Sequence, residues 1–456
     1  MTEVATDRGA RGAPAEEVPS VPARPLPAEP SGSAPEPPTP RRPPRFPCFD
    51  GLRAIAAGTV LGVHVAFVSG LTLRDPGVGI YTARLEIGVA VFFLISGFLL
   101  YRPFVVAHLA GERDPLTGSF WVRRLLRIVP AYWVALFVTT TVLHEPMGSG
   151  GWRAYLIHYG FAQIYFPSQI EGGITQAWTL CVEMSFYLAL PLYAALVGRG
   201  RERQSPRRRL RRAIVGLGAM VAVSLVWRFA VLSFQHGHGP LVATMTVWLP
   251  AELDLFALGM GLAVVSAWLH QHGAEPAWMS GRWFPWASWL LAAAAFVGVS
   301  HLGISRQALY TKTYLDIARQ TLYGVFSLFL LLPAVFGPQR VGLVRRVLQW
   351  WPVASLGVVS YGVYLWHQTL IDQLVRHYPE WFGHRLFFNV GFWGMFGEIA
   401  GAALAVATLS YFVVEKPALR AKRFFAWFGS PRPSPRPRPA PPSEGARPLP
   451  DIAASP

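Results

Sequence analysis

The chain has 456 residues, 52% of them hydrophobic and only 14% charged, with positive mean hydropathy. Its long runs are apolar on every side, which excludes an ordinary soluble globular fold and marks an all-α, polytopic membrane protein. A formal charge of +16 invites a nucleic-acid partner, but the arginines fall at span ends and in tails rather than in a stripe, so none is expected.

Residues 1–47, rich in Pro, Ala and Glu, cannot bury a core and read as a disordered tail without the apolar core of a signal peptide. The first span, 52–71, begins within FDGLRAIAAGTVLGVHVAF and carries Arg53 and His64. Eleven helical steps of about 100° bring these two side chains to within about 20° of one another, roughly 16 Å apart along the axis. Taken alone, Arg53 is a topology anchor that snorkels to the interface, and His64 either bonds a neighbouring helix or faces a cavity.

Further spans are expected at 86–106, 128–144, 177–197, 213–232, 244–269, 284–301, 317–336, 351–375 and 388–414, making about ten in all. Between the second and third, Arg124 and Arg127 lie one turn apart with Arg123 beside them, placed either to clamp phosphates or to anchor at the interface. Glu183 sits inside the fourth span. Glu252 and Asp254, in PAELDLFALGMG of the sixth, either line a cavity or bond a neighbouring helix. His236 and His238 in QHGHG read as an outer turn. Ser360 and Tyr361 are candidates for a cavity wall in the ninth span, and His367 in YLWH either touches substrate or belongs to the interfacial aromatic belt. Residues 419–456 form a second disordered tail, basic and Pro-rich, so that 48–418 is a single transmembrane domain.

Arginines cluster at 41–53, 102–127, 199–212, 340–346 and 416–423, the segments that an even span count puts on one side. Both termini are therefore expected in the cytoplasm and the protein in the plasma (inner) membrane, surrounded by lipid. Cys48 and Cys181 form neither a disulfide framework nor a metal site, and no metal is expected.

Arg53-x10-His64 after FDGLRA, followed in order by VFFLISGFLL (91–100), RRLLRIVPAYW (123–133), AWTLCVEMSFYLALPL (177–192), SYGVYLWH (360–367) and YFVVEKP (411–417), resembles the acyltransferase 3 family. Those are membrane enzymes that O-acylate glycans, lipids and natural products. The resemblance spans 48–418. Two details depart from it: Thr179 stands where Ser is common, and Met184 follows Glu183 where a second acidic residue is frequent, leaving Glu183 the motif's only carboxylate. Many relatives also carry a C-terminal hydrolase-like domain, whereas here the membrane domain is expected to finish the reaction alone.

The resemblance implies transfer of an acyl group, expected to be acetyl, from acyl-CoA to a hydroxyl of a glycan, lipid-linked or small-molecule acceptor, with no tightly bound cofactor. Such chemistry needs a base for the hydroxyl, cations for the polyanionic CoA and a site that excludes water. His64 is the natural base. Glu183, at a matching depth of roughly 9–10 Å from the outer end of its span, is expected either to orient His64 as the carboxylate does in hydrolytic triads or to make a structural hydrogen bond, for instance to Tyr187. Arg53, Arg124 and Arg127, with Arg123, are expected to hold CoA, and Glu252, Asp254, Ser360, Tyr361 and His367 to face the acceptor. The rival from another class is a secondary transporter, which typically shows internal repeats that the two halves of this chain lack.

Overall fold

Where lipid excludes water, each backbone amide must find its partner within its own segment or in a closed barrel, and this sequence takes the helical solution. The computed structural model describes residues 46–233, 239–273, 275–306, 312–377 and 386–421. His236, His238 and nearly all of both expected tails lie outside those residues. Among the described residues there are helices and connecting turns but no strand.

The long helices are α1 (Cys48–Val68), α2 (Gly88–Ala110), α3 (Thr117–Phe137), α4 (Trp178–Val197), α5 (Pro206–Ser233), α6 (Leu249–His272), α7 (Phe284–Ser300), α8 (Thr313–Val335), α9 (Trp351–His377) and α10 (Leu386–Ser410). They overlap the ten expected spans, with α3 starting at Thr117 rather than 128 and α5 at Pro206 rather than 213. Eight are long and apolar enough to cross a membrane; α7 is apolar but shorter, and α9 is not among the eight. A break at Gly391, with φ of 65°, divides α10, whose spanning part runs on through a π-turn at Tyr411–Glu415.

The centre of the bundle is built by α2 and α6, which share the most extensive contact in the molecule. Their backbones touch: a Cβ on Gly97 would lie 2.3 Å from the Phe256 carbonyl oxygen, and one on Gly259 would lie 2.1 Å from that of Leu94. Small residues at such crossings let membrane helices pack by dispersion where no hydrophobic drive exists between them. Gly259→Ala should therefore force the pair apart and cost roughly 1–3 kcal/mol, read as a lower thermal midpoint in detergent. Gly58→Ala on α1, where an added Cβ meets nothing within 4 Å, should be neutral or slightly stabilising.

A second seam joins α1 to α9. Gly357 packs against the Asp50 carbonyl at one level, and the rings of His64 and His367 meet at another, their centroids 5.1 Å apart. The helix that carries both Arg53 and His64 is thus held against α9 at two levels.

Candidate active site

Three guanidinium groups meet at one end of the bundle. Arg53 of α1 and Arg124 and Arg127 of α3 line a cavity of about 740 Å3, open mouth included. The three-residue spacing puts Arg124 and Arg127 on one face of α3, and α1 and α3 both pack against α9. Arg123, one step around α3 from Arg124, is exposed and does not line the cavity. A 100° rotation per residue separates it from its neighbour, so the expected fourth CoA contact is withdrawn on geometric grounds.

The three cations are differently partnered. Arg53 donates to Asp50 at 2.8 Å, a pair that fixes the side chain at the rim. Among the described residues, Arg124 and Arg127 have no hydrogen bond or ion pair, and Glu415, a buried carboxyl in the YFVVEKP segment, exerts its charge on Arg127. Glu415 was not singled out by the sequence reasoning. Its signal was an acidic residue inside an apolar stretch that a resemblance had already marked.

Farther in, the cavity is lined by Phe92, Ser96, Glu183, Ser360, Tyr361 and Tyr364 among others. Ser96 Oγ donates to Glu183 Oε1. Tyr364 bonds Thr179 through its hydroxyl at 2.7 Å and donates to the Gln176 carbonyl at 2.8 Å. Tyr361 reaches across to the Ile128 carbonyl at 2.9 Å, and Ser360 bonds the carbonyl of Gly357. Cations at the mouth, an apolar and aromatic body and one carboxylate within suit a ligand with an anionic head and a narrow tail.

His64 is not a lining residue of this cavity. It is half-buried on α1, and its ring lies against His367, which is 1% exposed. His367 Nδ1 is 2.7 Å from the Tyr364 carbonyl and therefore donates, leaving Nε2 without a hydrogen-bond partner. His367 is thus an inward residue rather than part of an interfacial belt. Tyr364, which lines the arginine cavity, is edge to face with Phe92 at 5.9 Å and has its ring 5.8 Å from that of His367, so it links the cavity to the histidine pair.

The expected Glu183–His64 hydrogen bond is not formed. Glu183 is engaged by Ser96, and the carboxylate whose charge reaches His64 is Glu86, which accepts from Tyr323 at 2.8 Å. Equal depth set the two groups at one level, but depth says nothing about the direction in which either helix turns its side chains.

Glu252 and Asp254 also take a different place from the one expected. They belong to a buried network. Arg228 of α5, 4% exposed, donates to Asp316 and Glu252, each at 2.9 Å, and to the Ala251 carbonyl at 2.8 Å. Gln320 donates to both Glu252 and Asp254, and Ser224 donates to Asp254. Arg319 extends the network from Asp316 toward Glu86. These contacts use up the two carboxylates in helix–helix bonding, the second of the two readings that the sequence allowed. Arg228 was missed, although a lone arginine in an apolar span is itself a signal that a partner exists.

The acyltransferase 3 model, described as an acyltransferase domain, matches residues 46–415. The chain belongs to this family. The acyltransferase MdmB of Streptomyces mycarofaciens is 29% identical over 82% of this chain and 92% of its own length. Nodulation protein 10 of Rhizobium leguminosarum bv. viciae is 28% identical, covering 82% and 93%. The O-acetyltransferase OatA of Staphylococcus aureus is 25% identical over 85% of this chain and 60% of its own. No solved structure gives a significant match. Membership makes this chain a multi-pass membrane acyltransferase, and the transporter alternative finds no support.

Proposed function

We propose that the protein is an integral O-acyltransferase of the plasma (inner) membrane that moves an acyl group, acetyl in the first instance, from acyl-CoA to a hydroxyl of a carbohydrate, glycolipid or secondary metabolite. The observation that carries the reading is the convergence of Arg53, Arg124 and Arg127 on the mouth of one cavity with an aromatic interior. Guanidinium forks match phosphate geometry, and two of the three have no partner in the described chain. The positive-inside distribution of arginines supports a cytoplasmic mouth, the side on which acyl-CoA is made.

The pantetheine arm then runs inward beside Ile128 and Tyr361 and brings the thioester to the level of Ser96 and Glu183. His64 takes the proton of the acceptor hydroxyl. His367, whose Nδ1 is committed to a carbonyl, packs against the His64 ring and limits its rotation. Similarity to YrhL of Bacillus subtilis, a putative peptidoglycan O-acetyltransferase, favours a glycan acceptor, and similarity to the O-acetyltransferase OatA favours acetyl as the group moved.

Membranes containing the chain should move radiolabel from acetyl-CoA into an extractable glycan, lipid or small-molecule fraction, and membranes lacking it should not. Uptake of a labelled solute without any acyl transfer would overturn the assignment. Within an active preparation, Arg124→Ala and Arg127→Ala should each raise the KM for acetyl-CoA about 10- to 100-fold with a smaller change in kcat, because a charge-assisted hydrogen bond is worth about 1.5–3 kcal/mol. Added salt should narrow the difference.

A further inference from the structure

Ser96 is a small polar residue in a run that is otherwise apolar, and the mechanism above gives it no task. Serines inside membrane helices usually turn the hydroxyl back onto a carbonyl one turn earlier. Ser185 of α4 does so, donating to Cys181 at 2.9 Å. Ser96 instead directs its hydroxyl to Glu183, on another helix, inside the cavity that the three arginines guard. Both side chains are half-buried and open to that cavity. A hydroxyl held by a carboxylate at the place where a thioester would arrive is the arrangement of an activated nucleophile.

A second observation makes that chemistry useful. His64 does not line the donor cavity; it is joined to it through His367 and the lining residue Tyr364, whose rings are in contact. A direct transfer would require acyl-CoA, acceptor and His64 to be assembled together while CoA still fills the cavity, whereas an acceptor attacking an ester on Ser96 meets His64 after CoA has left. An ester that stays on α2 after CoA has gone separates the two encounters in time.

We infer that Ser96 is a catalytic nucleophile and that the reaction passes through an acyl-serine; the inference rests on the acyl-CoA reading given above. In the first half-reaction Ser96 Oγ attacks the thioester carbonyl and passes its proton to the Glu183 carboxylate. The carbon–sulfur bond breaks, and the departing thiolate takes that proton from Glu183 and leaves as CoA thiol. In the second, His64 takes the proton of the acceptor hydroxyl, whose oxygen attacks the serine ester. The bond from the acyl carbon to Oγ breaks, and the proton held by His64 returns to Ser96. The sum is one acyl-CoA and one alcohol giving one ester and one CoA thiol.

The full-length protein in nanodiscs would be incubated with acetyl-CoA and tritiated CoA, without acceptor, and the label entering acetyl-CoA measured. Wild type should catalyse exchange, and protein incubated with [14C]acetyl-CoA should carry label on the peptide containing Ser96. Ser96→Ala should lose exchange and transfer by about 10^3-fold or more, and Glu183→Gln should slow both. His64→Ala should keep exchange while losing transfer. Ser96→Cys should become labelled as a thioester released by neutral hydroxylamine, which shows that the position still receives the acyl group. Transfer to acceptor without exchange or label, or wild-type transfer by Ser96→Ala, overturns the acyl-serine and leaves the acyl-CoA reading intact. Neither transfer nor exchange by wild type with acetyl-CoA or longer acyl-CoAs overturns both.

Discussion

His64→Ala should lower acyl transfer by about 10^3-fold, within the range that a positioned general base contributes, in a protein that remains folded and binds CoA as before. The reason for expecting so clean a separation is spatial. The arginines that would hold CoA line one cavity, and His64 sits against His367 outside it. Removing the imidazole should therefore leave the KM for acetyl-CoA nearly unchanged and appear in kcat. His64→Gln, which preserves volume and a hydrogen-bonding end but cannot cycle a proton at neutral pH, should be as inactive as the alanine variant. The measurement is initial-rate transfer from labelled acetyl-CoA by purified protein, with binding of CoA followed separately. Full activity in either variant would remove His64 from the mechanism.

The second large effect is on stability. Arg228→Ala should destabilise the fold by about 3–5 kcal/mol, because it leaves two buried carboxylates, Glu252 and Asp316, without the cation to which both are bonded at 2.9 Å. The loss should be recovered in part by neutralising the abandoned partners, as in Arg228→Met combined with Glu252→Gln and Asp316→Asn. Replacing a whole buried charge cluster by neutral groups of similar volume commonly costs little, whereas breaking it from one side costs much. Thermal midpoints in detergent distinguish the two cases. Equal midpoints for Arg228→Ala and wild type would show that the network does not hold α5 to α6 and α8.

The sequence was most legible where one helix alone decides the outcome. Ten apolar stretches became ten long helices among the described residues, and the three-residue spacing of Arg124 and Arg127 put both on one face of α3, whereas the eleven-residue spacing of Arg53 and His64 did not bring His64 into the cavity that Arg53 lines. It was least legible where two helices must face each other. Glu183 and His64 share a depth, yet α4 presents its carboxylate to Ser96 of α2, and nothing in a single helix's periodicity reports a neighbour's rotation. Ser96 was invisible for a related reason: a lone hydroxyl in VFFLISGFLL has the same pattern whether it caps its own backbone or faces a carboxylate. Glu252 and Asp254 were read either as acceptor-facing or as bonding a neighbouring helix, and the second is what the structure has. The partner, Arg228, lies on α5, and pairing across separate spans leaves no trace in spacing.

The arginine network also bears on how the chain is made. Arg228 is synthesised 24 residues before Glu252 and 88 before Asp316. An unpaired arginine costs about 2.5–3.5 kcal/mol to insert at the centre of a span and less toward its end, where Arg228 sits five residues before the close of α5. The fifth helix therefore has reason to linger at the translocon until the sixth emerges, so that the two partition into lipid as a hairpin, with the eighth arriving later to complete the neutralisation.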